Sequence, residues 1–254
     1  MKILSLNCQK GHQPGLANFL EKTIVSNAYD FLLLQEATEN VLAILKSHDS
    51  YKLITGDDTD LAENNWLCIA HKNGFQKSKS VFRSFGQMRK DPVRGFGHPA
   101  FGFLCATFEY ETKSIAMGNV HLHSGVDKRV RELEAHEVKQ MINYLGQEAP
   151  ILFGGDFNFG FPGERLNVIK LFSPEFVCAT ESMEATLDSR YSEYANHLPN
   201  QVAFVLAKVG LGIKLKADQI FIDTKTAQQK KMYFNVLSDR VSDHNPIEFY
   251  ISDI

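Results

Sequence analysis

The chain has 254 residues, of which 44% are hydrophobic, and its formal net charge is -3. This length and hydrophobic content are sufficient to bury a large core. The small net charge excludes a basic coat protein for nucleic acid and an acidic tail protein, so any affinity for phosphate must come from a local site. Because no linker, low-complexity tract or internal repeat divides the sequence, we expect a single domain over residues 1–254.

The cysteines bear on two questions: whether the protein has a zinc or redox site, and in which compartment it is found. Cys8, Cys68, Cys105 and Cys178 are far apart and form no CxxC pair, which argues against a zinc knuckle or a redox dithiol and favours free thiols. The apolar run at the start of the chain is too short for a signal-peptide core, and no run approaches the roughly 20 residues that cross a bilayer. The sequence therefore predicts a soluble, cytoplasmic protein without stable membrane insertion or an obligate protein partner, and it leaves open a leader that was removed upstream.

Strand patterns and helix patterns alternate along the chain. Apolar runs predict buried strands at residues 2–7, 31–36, 66–70, 103–108, 114–121, 151–153, 201–206, 219–222 and 246–251. Apolar residues at helical spacing predict three helices, around Leu16, Phe19, Leu20 and Ile24, around Val41, Leu42 and Leu45, and around Val130, Leu133, Val138, Met141 and Leu145. This order predicts an α/β fold in which helices cover the sheets.

Polar residues cluster at the ends of the predicted strands. Asn7, Glu36 and His121 close their strands, and Asp156 and Asn158 follow theirs. In α/β sheets ligands bind outside the carboxyl ends of the strands, so this placement predicts one shared site.

Three further polar residues, Asp218, Asp243 and His244, precede their strands instead. If they join the same site, those strands must run opposite to the earlier ones. The sheets must then be mixed or antiparallel, which excludes a purely parallel dinucleotide-binding sheet.

The residue types at these positions fit the hydrolysis of a phosphate ester. Carboxylates of Glu36, Asp156 and Asp243 are hard ligands that suit Mg²⁺ or Mn²⁺. Imidazoles can donate to phosphate oxygens or transfer protons, and few histidines with no suitable cysteines make a zinc hydrolase less fitting.

Each residue also has a purely structural alternative. Glu36 could cap the helix that begins near Thr38, His121 could be a hydrogen-bonded core histidine, and Asp218 could pair with Lys216. The glycines Gly154 and Gly155 either allow the backbone to approach a ligand or make a tight turn after the strand.

Six short motifs together resemble one family, the endonuclease/exonuclease/phosphatase superfamily, which includes deoxyribonuclease I. They occur in the usual order of that family: Leu4-Ser5-Leu6-Asn7, Leu33-Leu34-Gln35-Glu36, Asn119-Val120-His121-Leu122, Gly154-Gly155-Asp156-Phe157-Asn158, Ala217-Asp218-Gln219-Ile220-Phe221 and Ser242-Asp243-His244-Asn245-Pro246. The resemblance implies a four-layer α/β sandwich, in which two mixed β-sheets pack face to face between helices.

The resemblance also implies roles for the site residues. Glu36 resembles the main metal ligand, with Asn7 and Asp243 near the metal. Asp156 resembles the residue that aligns the attacking water, and Asn158 orients that water and the phosphate. His244 resembles the histidine beside the scissile phosphate, held by Asp218, and His121 resembles the second histidine that stabilises a phosphoryl oxygen.

The motifs leave several substrate classes open. The residues after Asn7, Cys8-Gln9-Lys10, differ from those of abasic-site endonucleases. We expect a phosphodiesterase that acts on nucleic acid. The alternatives are an enzyme for a phospholipid or a small phosphorylated headgroup, a phosphomonoesterase, and a catalytically silent phosphate-binding module.

A stretch from residue 83 to residue 103 combines cations with aromatic residues. Arg89 and Arg94 lie there among phenylalanines and glycines, which suggests contacts with non-scissile phosphates and stacking on a base. The alternative is a solvated loop anchored by buried phenylalanines.

Overall fold

The computed structural model describes residues 1–11, 13–26, 28–56, 66–85, 101–123, 128–145, 149–159, 162–188, 214–239 and 241–252. The strands are β1 (Lys2–Asn7), β2 (Phe31–Ala37), β3 (Tyr51–Thr55), β4 (Trp66–Lys72), β5 (Gln76–Ser84), β6 (Gly102–Tyr110), β7 (Lys113–His121), β8 (Ile151–Asp156), β9 (Phe176–Cys178), β10 (Leu187–Asp188), β11 (Lys214–Leu215), β12 (Asp218–Asp223), β13 (Met232–Val236) and β14 (Ile247–Ile251). The helices are α1 (Leu16–Val25), α2 (Glu39–Lys46), α3 (Lys128–Tyr144), α4 (Pro162–Phe172) and α5 (Thr224–Gln229), with one 3₁₀ turn at Gln9–Gly11.

Two six-stranded mixed sheets form the centre of the molecule. The first has the order β13-β14-β1-β2-β4-β3 and the second the order β5-β6-β7-β8-β12-β9. In the first sheet β1 pairs parallel with β2 and antiparallel with β14. In the second sheet β8 pairs parallel with β7 and antiparallel with β12. The two strands that follow Asp243 and begin at Asp218 therefore run opposite to the earlier ones, as the sequence predicts.

Three apolar clusters fill the spaces between four layers. The central cluster lies between the two sheets and includes Phe31, Leu33, Phe108 and Met117. A second cluster packs α3 and α4 on the outer face of the second sheet, and a third packs α1 and α2 on the outer face of the first. The predicted four-layer α/β sandwich is confirmed.

Helix α3 buries Val130 and Val138, as its apolar spacing predicts, but it exposes Leu133 and buries a charged residue as well. Leu133 is 50% exposed, whereas Arg131 is only 2% exposed. The reason is an ion pair, because Arg131 donates through Nη2 to Oε2 of Glu164 in α4 at 3.1 Å. A charged residue that is paired and hydrogen-bonded can occupy a buried position that apolar spacing alone would not predict.

Several elements of the structure were not predicted from the sequence. Strand β5 escapes apolar periodicity because most of it is exposed and polar; strands β3 and β13 and helices α4 and α5 were also not predicted. The predicted strand at 201–206 lies outside the described residues. Within the described ranges, no helix is both long and apolar enough to cross a membrane.

The glycine pair of the fourth motif lies inside β8 and not in a turn after it. A Cβ on Gly155, whose φ is +137°, would approach the Val120 carbonyl oxygen to 2.1 Å, and a Cβ on Gly154 would approach the Gln219 carbonyl oxygen to 2.8 Å. These glycines are therefore required by the neighbouring strands β7 and β12, and the turn interpretation was wrong.

Candidate active site

Both sheets contribute residues to one end of the sandwich. Asn7 and Glu36 come from β1 and β2 of the first sheet, and His121 and Asp156 from β7 and β8 of the second. Asp218 begins β12 and is the register partner of Asp156. The described residues of the six motifs thus meet where the parallel strands have their carboxyl ends, as the sequence predicts.

A direct contact between Asn7 and Asp156 joins the two sheets at this end. The Asn7 Nδ2 donates to Asp156 Oδ2 at 2.9 Å and lies 3.5 Å from Glu36 Oε1. The amide is held in this orientation because its Oδ1 accepts a bond from the Gln9 backbone N–H at 2.9 Å. Asn7 therefore connects two carboxylates that are 120 positions apart in the chain, at 36 and 156.

Asp156 is the centre of the site. Its Oδ1 accepts the backbone N–H of Asn158 at 2.8 Å, which fixes the carboxylate plane. Its Oδ2 lies 3.5 Å from His121 Nε2 and 3.7 Å from His244 Nε2. Two imidazole nitrogens therefore converge on one carboxylate oxygen at separations a little longer than a hydrogen bond.

His244 is coupled to Asp218. The His244 Nδ1 lies 2.7 Å from Asp218 Oδ2, and both side chains are buried. Burial alone would lower the pKa of His244, but the charges of Asp218, Asp156 and Asp243 and the hydrogen bond to Asp218 raise it well above its ordinary value. The imidazolium form is therefore favoured, with its Nε2–H directed towards the site. The alternative pairing of Asp218 with Lys216 is not the one observed.

Glu36 lies in a β-bulge. The register of β2 with β4 passes from Leu34 opposite Cys68 to Ala37 opposite Trp66, so that one extra residue is present in β2. Glu36 itself has φ +49°, a left-handed conformation that is uncommon for a residue with a side chain. Bulges are frequent beside active sites because they redirect a side chain. Here the bulge directs Glu36 Oε1 to within 3.8 Å of His121 Nε2.

The donor set fits a hard divalent cation. Glu36, Asp156, Asp218 and Asp243 place carboxylates in a largely buried site, where uncompensated negative charge is unfavourable. Among the described residues, a group of potential ligand atoms that all lie within 4.8 Å of one another comprises Asp156, Asp218 and His244. In this group the Nδ1 of His244 is occupied by Asp218, and an imidazolium repels a cation.

Neither a protein-family model nor a curated protein sequence matches the chain. Solved structures do match it over its whole length. TDP2 of D. rerio, complexed with single strand DNA product, has a TM-score of 0.75 at 19% identity and covers 100% of this chain and 99% of its own. An endonuclease/exonuclease/phosphatase of Bacteroides vulgatus has a TM-score of 0.72 at 16% identity, covering 99% and 98%. A mannosyl-6-phosphatase of Bacteroides thetaiotaomicron has a TM-score of 0.71 at 15% identity, covering 100% of both chains.

The chain has the endonuclease/exonuclease/phosphatase fold. The sequence motifs predicted this fold, and the structural matches confirm it. At these identities the matches establish the fold, so the activity of this chain has to be argued from its own residues.

Asn158 and Asp243 occupy positions within this fold that link neighbouring segments. Asn158 has φ +52°, and its Nδ2 donates to the Leu122 carbonyl oxygen at 2.8 Å, which ties the end of β8 to the end of β7. The Asp243 backbone N–H donates to Gln9 Oε1 at 3.2 Å. Since Gln9 also holds Asn7, the last motif is joined to the first.

Four further buried polar residues lie at the site, and the sequence assigned none of them a role. Gln9 and Thr186 hold segments that carry site residues: Thr186 Oγ1 accepts the Asp218 backbone N–H at 3.2 Å. Gln35 and Asn119 lie beneath the site between the sheets. The sequence did contain a signal for Gln35 and Asn119, because an amide at a core-facing position of an apolar strand requires a specific hydrogen-bond partner.

The predicted substrate contacts Arg89 and Arg94 lie outside the described residues, and their role stays a prediction.

Proposed function

We propose that this protein is a divalent-metal-dependent phosphoester hydrolase, and that its substrate is a phosphodiester of nucleic acid. The observation that carries the proposal is the convergence of His121 Nε2, His244 Nε2 and Asn7 Nδ2 on Asp156 Oδ2, next to Glu36, in a buried site that both sheets form. These groups supply the three requirements of phosphoester hydrolysis, namely a place for a cation, a held water and donors for phosphoryl oxygens.

Glu36, with Asn7 at 3.5 Å from it and Asp243 from the last motif, would hold Mg²⁺ or Mn²⁺. When bound, the cation would neutralise charge on the phosphoryl oxygens and stabilise the leaving oxygen. Glu36 can hold a fixed position because its backbone is set by the bulge and its neighbour Asn7 is fixed by Gln9. Oxygen ligands in this mixture of carboxylate and amide suit these hard cations.

Asp156 would align the attacking water. Its two oxygens are fixed by Asn158 N–H and Asn7 Nδ2 at 2.8 Å and 2.9 Å, so a lone pair of Oδ2 has a defined direction for accepting a proton from water. Asn158, fixed at a left-handed backbone position, would orient the same water through its side chain.

The two histidines would bind the phosphoryl group. His244 is favoured as imidazolium by Asp218, and its Nε2–H would donate to a non-bridging oxygen whose charge grows in the transition state. His121 would donate from the opposite side. The distances of 3.5 Å and 3.7 Å to Asp156 Oδ2 support this role, because both nitrogens face the same point of the site.

Two structural neighbours support different substrate classes. The D. rerio protein TDP2 is described in complex with a single strand DNA product, which favours nucleic acid. The mannosyl-6-phosphatase of B. thetaiotaomicron favours a phosphomonoester on a small sugar as the second candidate. The cations at Arg89 and Arg94 favour the polymeric substrate, because a small monoester has no non-scissile phosphates to contact.

A substrate panel with matched variants tests the proposal. The wild-type protein is assayed with Mg²⁺, with Mn²⁺ and with a chelator against single- and double-stranded DNA, RNA, a chromogenic diester, a chromogenic monoester, a sugar phosphate and sphingomyelin. We expect metal-dependent cleavage, fastest on an oligonucleotide. Asp156→Asn and His244→Ala should abolish it, whereas Glu39→Gln, an exposed carboxylate at the start of α2, should not.

Metal-dependent release of phosphate from the monoester or sugar phosphate alone would favour the second candidate. No product from any substrate, with intact folding by circular dichroism, would leave a phosphate-binding module and contradict the enzymatic proposal.

A further inference from the structure

Two buried amides join the sheets directly beneath the site. Asn119 and Gln35 are both 0% exposed. Asn119 lies on the face of β7 that also presents Ile115 and Met117 to the central apolar cluster. An amide at such a position is unfavourable unless its donors and acceptor are bonded, so its contacts have to explain its presence.

Asn119 bonds to two neighbouring strands of the opposite sheet. Its Nδ2 donates to the Leu34 carbonyl oxygen at 2.8 Å and to the Cys68 carbonyl oxygen at 2.9 Å. Leu34 and Cys68 are register partners in β2 and β4. The Asn119 Oδ1 accepts from Gln35 Nε2 at 2.6 Å. The Asn119 side chain of the second sheet therefore bonds to a register pair of the first sheet, and also to Gln35, the next residue of β2. We call this pair the Leu34–Cys68 rung.

That rung is the last one before the bulge that carries Glu36. Gln35 and Glu36 are the β2 residues between the rung of Leu34 and the next pair at Ala37. The absence of a side chain on Gly155 completes the arrangement, because a Cβ there would lie 3.0 Å from Gln35 Nε2.

Gln35, Gly155 and Asn119 are each within two residues of a site residue in the sequence. Gln35 precedes Glu36, Gly155 precedes Asp156, and Asn119 precedes His121 by two positions on the same strand face. One or two peptide units therefore separate these residues from Glu36 in the first sheet and from Asp156 and His121 in the second.

We propose that the Gln35–Asn119 amide bridge is a positioning device that fixes the separation of the Glu36 half-site from the half-site of His121 and Asp156. Its relevance to catalysis rests on the proposed function. Apolar packing between two sheets is non-directional, and it resists separation of the sheets better than small sliding movements. Hydrogen bonds to three groups fix both direction and distance, which a site assembled from two sheets requires.

The test compares a variant that removes the bridge with one that removes apolar packing on the same strand face. Asn119→Leu has nearly the same size and loses every hydrogen bond of the bridge. Met117→Ala, also fully buried and two residues from Asn119, is the matched control. Gln35→Met keeps both bonds from Asn119 to the carbonyls, and it replaces Asn119→Leu if that variant does not fold. Thermal midpoints show how far each variant loses stability.

We expect Asn119→Leu to lower kcat at least about tenfold with little change in KM and to weaken Mn²⁺ binding measured by calorimetry, as changes beside metal ligands do. Met117→Ala, at an equal or greater loss of stability, should keep both values within about threefold. If kcat falls in proportion to the thermal midpoint, and to the same extent in Asn119→Leu and Met117→Ala, the bridge has only a structural role and the proposal is overturned.

Crystal structures of the two variants give a reading that does not depend on activity. In Asn119→Leu we expect the 2.9 Å contact between Asn7 and Asp156 to be lost and Glu36 to leave φ +49°, with both preserved in Met117→Ala. Both features preserved in Asn119→Leu would overturn the proposal. A wild-type protein without metal-dependent activity would contradict the proposed function. The two variant structures would still show whether the bridge positions the site residues.

Discussion

Glu36 has a backbone conformation that opposes its side-chain type. A glutamate at φ +49° costs on the order of 1 kcal/mol or more relative to an extended one. The bulge maintains this conformation, and the result is a carboxylate directed at Asn7 and His121. Such a cost is retained where a side chain has to be directed to a particular place, which agrees with Glu36 as the proposed main metal ligand.

Glu36→Gln tests this assignment. The substitution keeps the size and removes the charge that would hold a hard cation, so we expect Mg²⁺ affinity and kcat to fall together by about a hundredfold. Mn²⁺ calorimetry and the rate as a function of Mg²⁺ concentration measure the two effects. Glu39→Gln is the control, since Glu39 is exposed and pairs with Lys46 at the surface. Unchanged metal dependence in Glu36→Gln would contradict the assignment.

The raised pKa of His244 gives a pH dependence with a defined sign. Because Asp218, Asp156 and Asp243 raise that pKa in the folded protein, the imidazolium adds stability that is fully present below the unfolded pKa of histidine, about 6.5. This stability is lost as the pH rises through the folded pKa. Activity that needs the imidazolium should fall over the same upper range.

In Asp218→Asn the pKa of His244 should decrease, because burial lowers it and the charge of Asp218 that opposes this effect is removed. The alkaline limb of the kcat profile should therefore move to lower pH, and histidine titration by NMR should show the same shift. A limb that stays in place in Asp218→Asn would mean that another group controls it.

At the scale of elements, the glycines of β8 are required by the close approach of the neighbouring strands. Gly155→Ala would bring a Cβ to 2.1 Å from the Val120 carbonyl oxygen at φ +137°, so we expect a loss of about 3 kcal/mol or more in the free energy of unfolding. Gly163→Ala in α4 meets no atom within 4 Å and should be neutral or stabilising by up to about 1 kcal/mol. Denaturant unfolding measures both, and equal stabilities would contradict the close approach of β7 and β8.

The elements that could be predicted were those with apolar periodicity and polar ends. Strand β1 is bounded by Asn7 as predicted, and β8 differs only because two glycines inside a strand look like a turn. Strand β5 could not be predicted, since its pairing with β6 comes from backbone hydrogen bonds and edge position and not from apolar side chains.

Site residues were predictable where a motif presents a carboxylate or an imidazole at a strand end. Gln35 and Asn119 were not assigned roles, because their contacts cross from one sheet to the other and no local spacing reports which strands face each other. The coupling of His244 to Asp218 was implied by the family resemblance, and the structure places their side chains in contact.

At the scale of the whole molecule, the four cysteines are buried side chains in the packed layers. All four are free thiols. Burial raises the pKa of Cys68 and Cys105 to about 12 and also raises those of Cys8 and Cys178. Since the thiolate is the reactive form, we expect negligible labelling by a disulfide reagent in the native protein at mildly alkaline pH and labelling of all four after denaturation. Rapid reaction of a native thiol would contradict this packing.

We infer that side chains from both sheets form one site for a cation and a phosphate. Crystals soaked with Mn²⁺ and phosphate, or with a nucleotide, test it most directly through the anomalous signal of manganese. We predict a manganese peak among Asn7, Glu36 and Asp243, with a phosphate between His121 and His244 and beside Asp156. A manganese site away from Glu36, or a phosphate bound elsewhere while His121 and His244 have no contact with it, would contradict the claim.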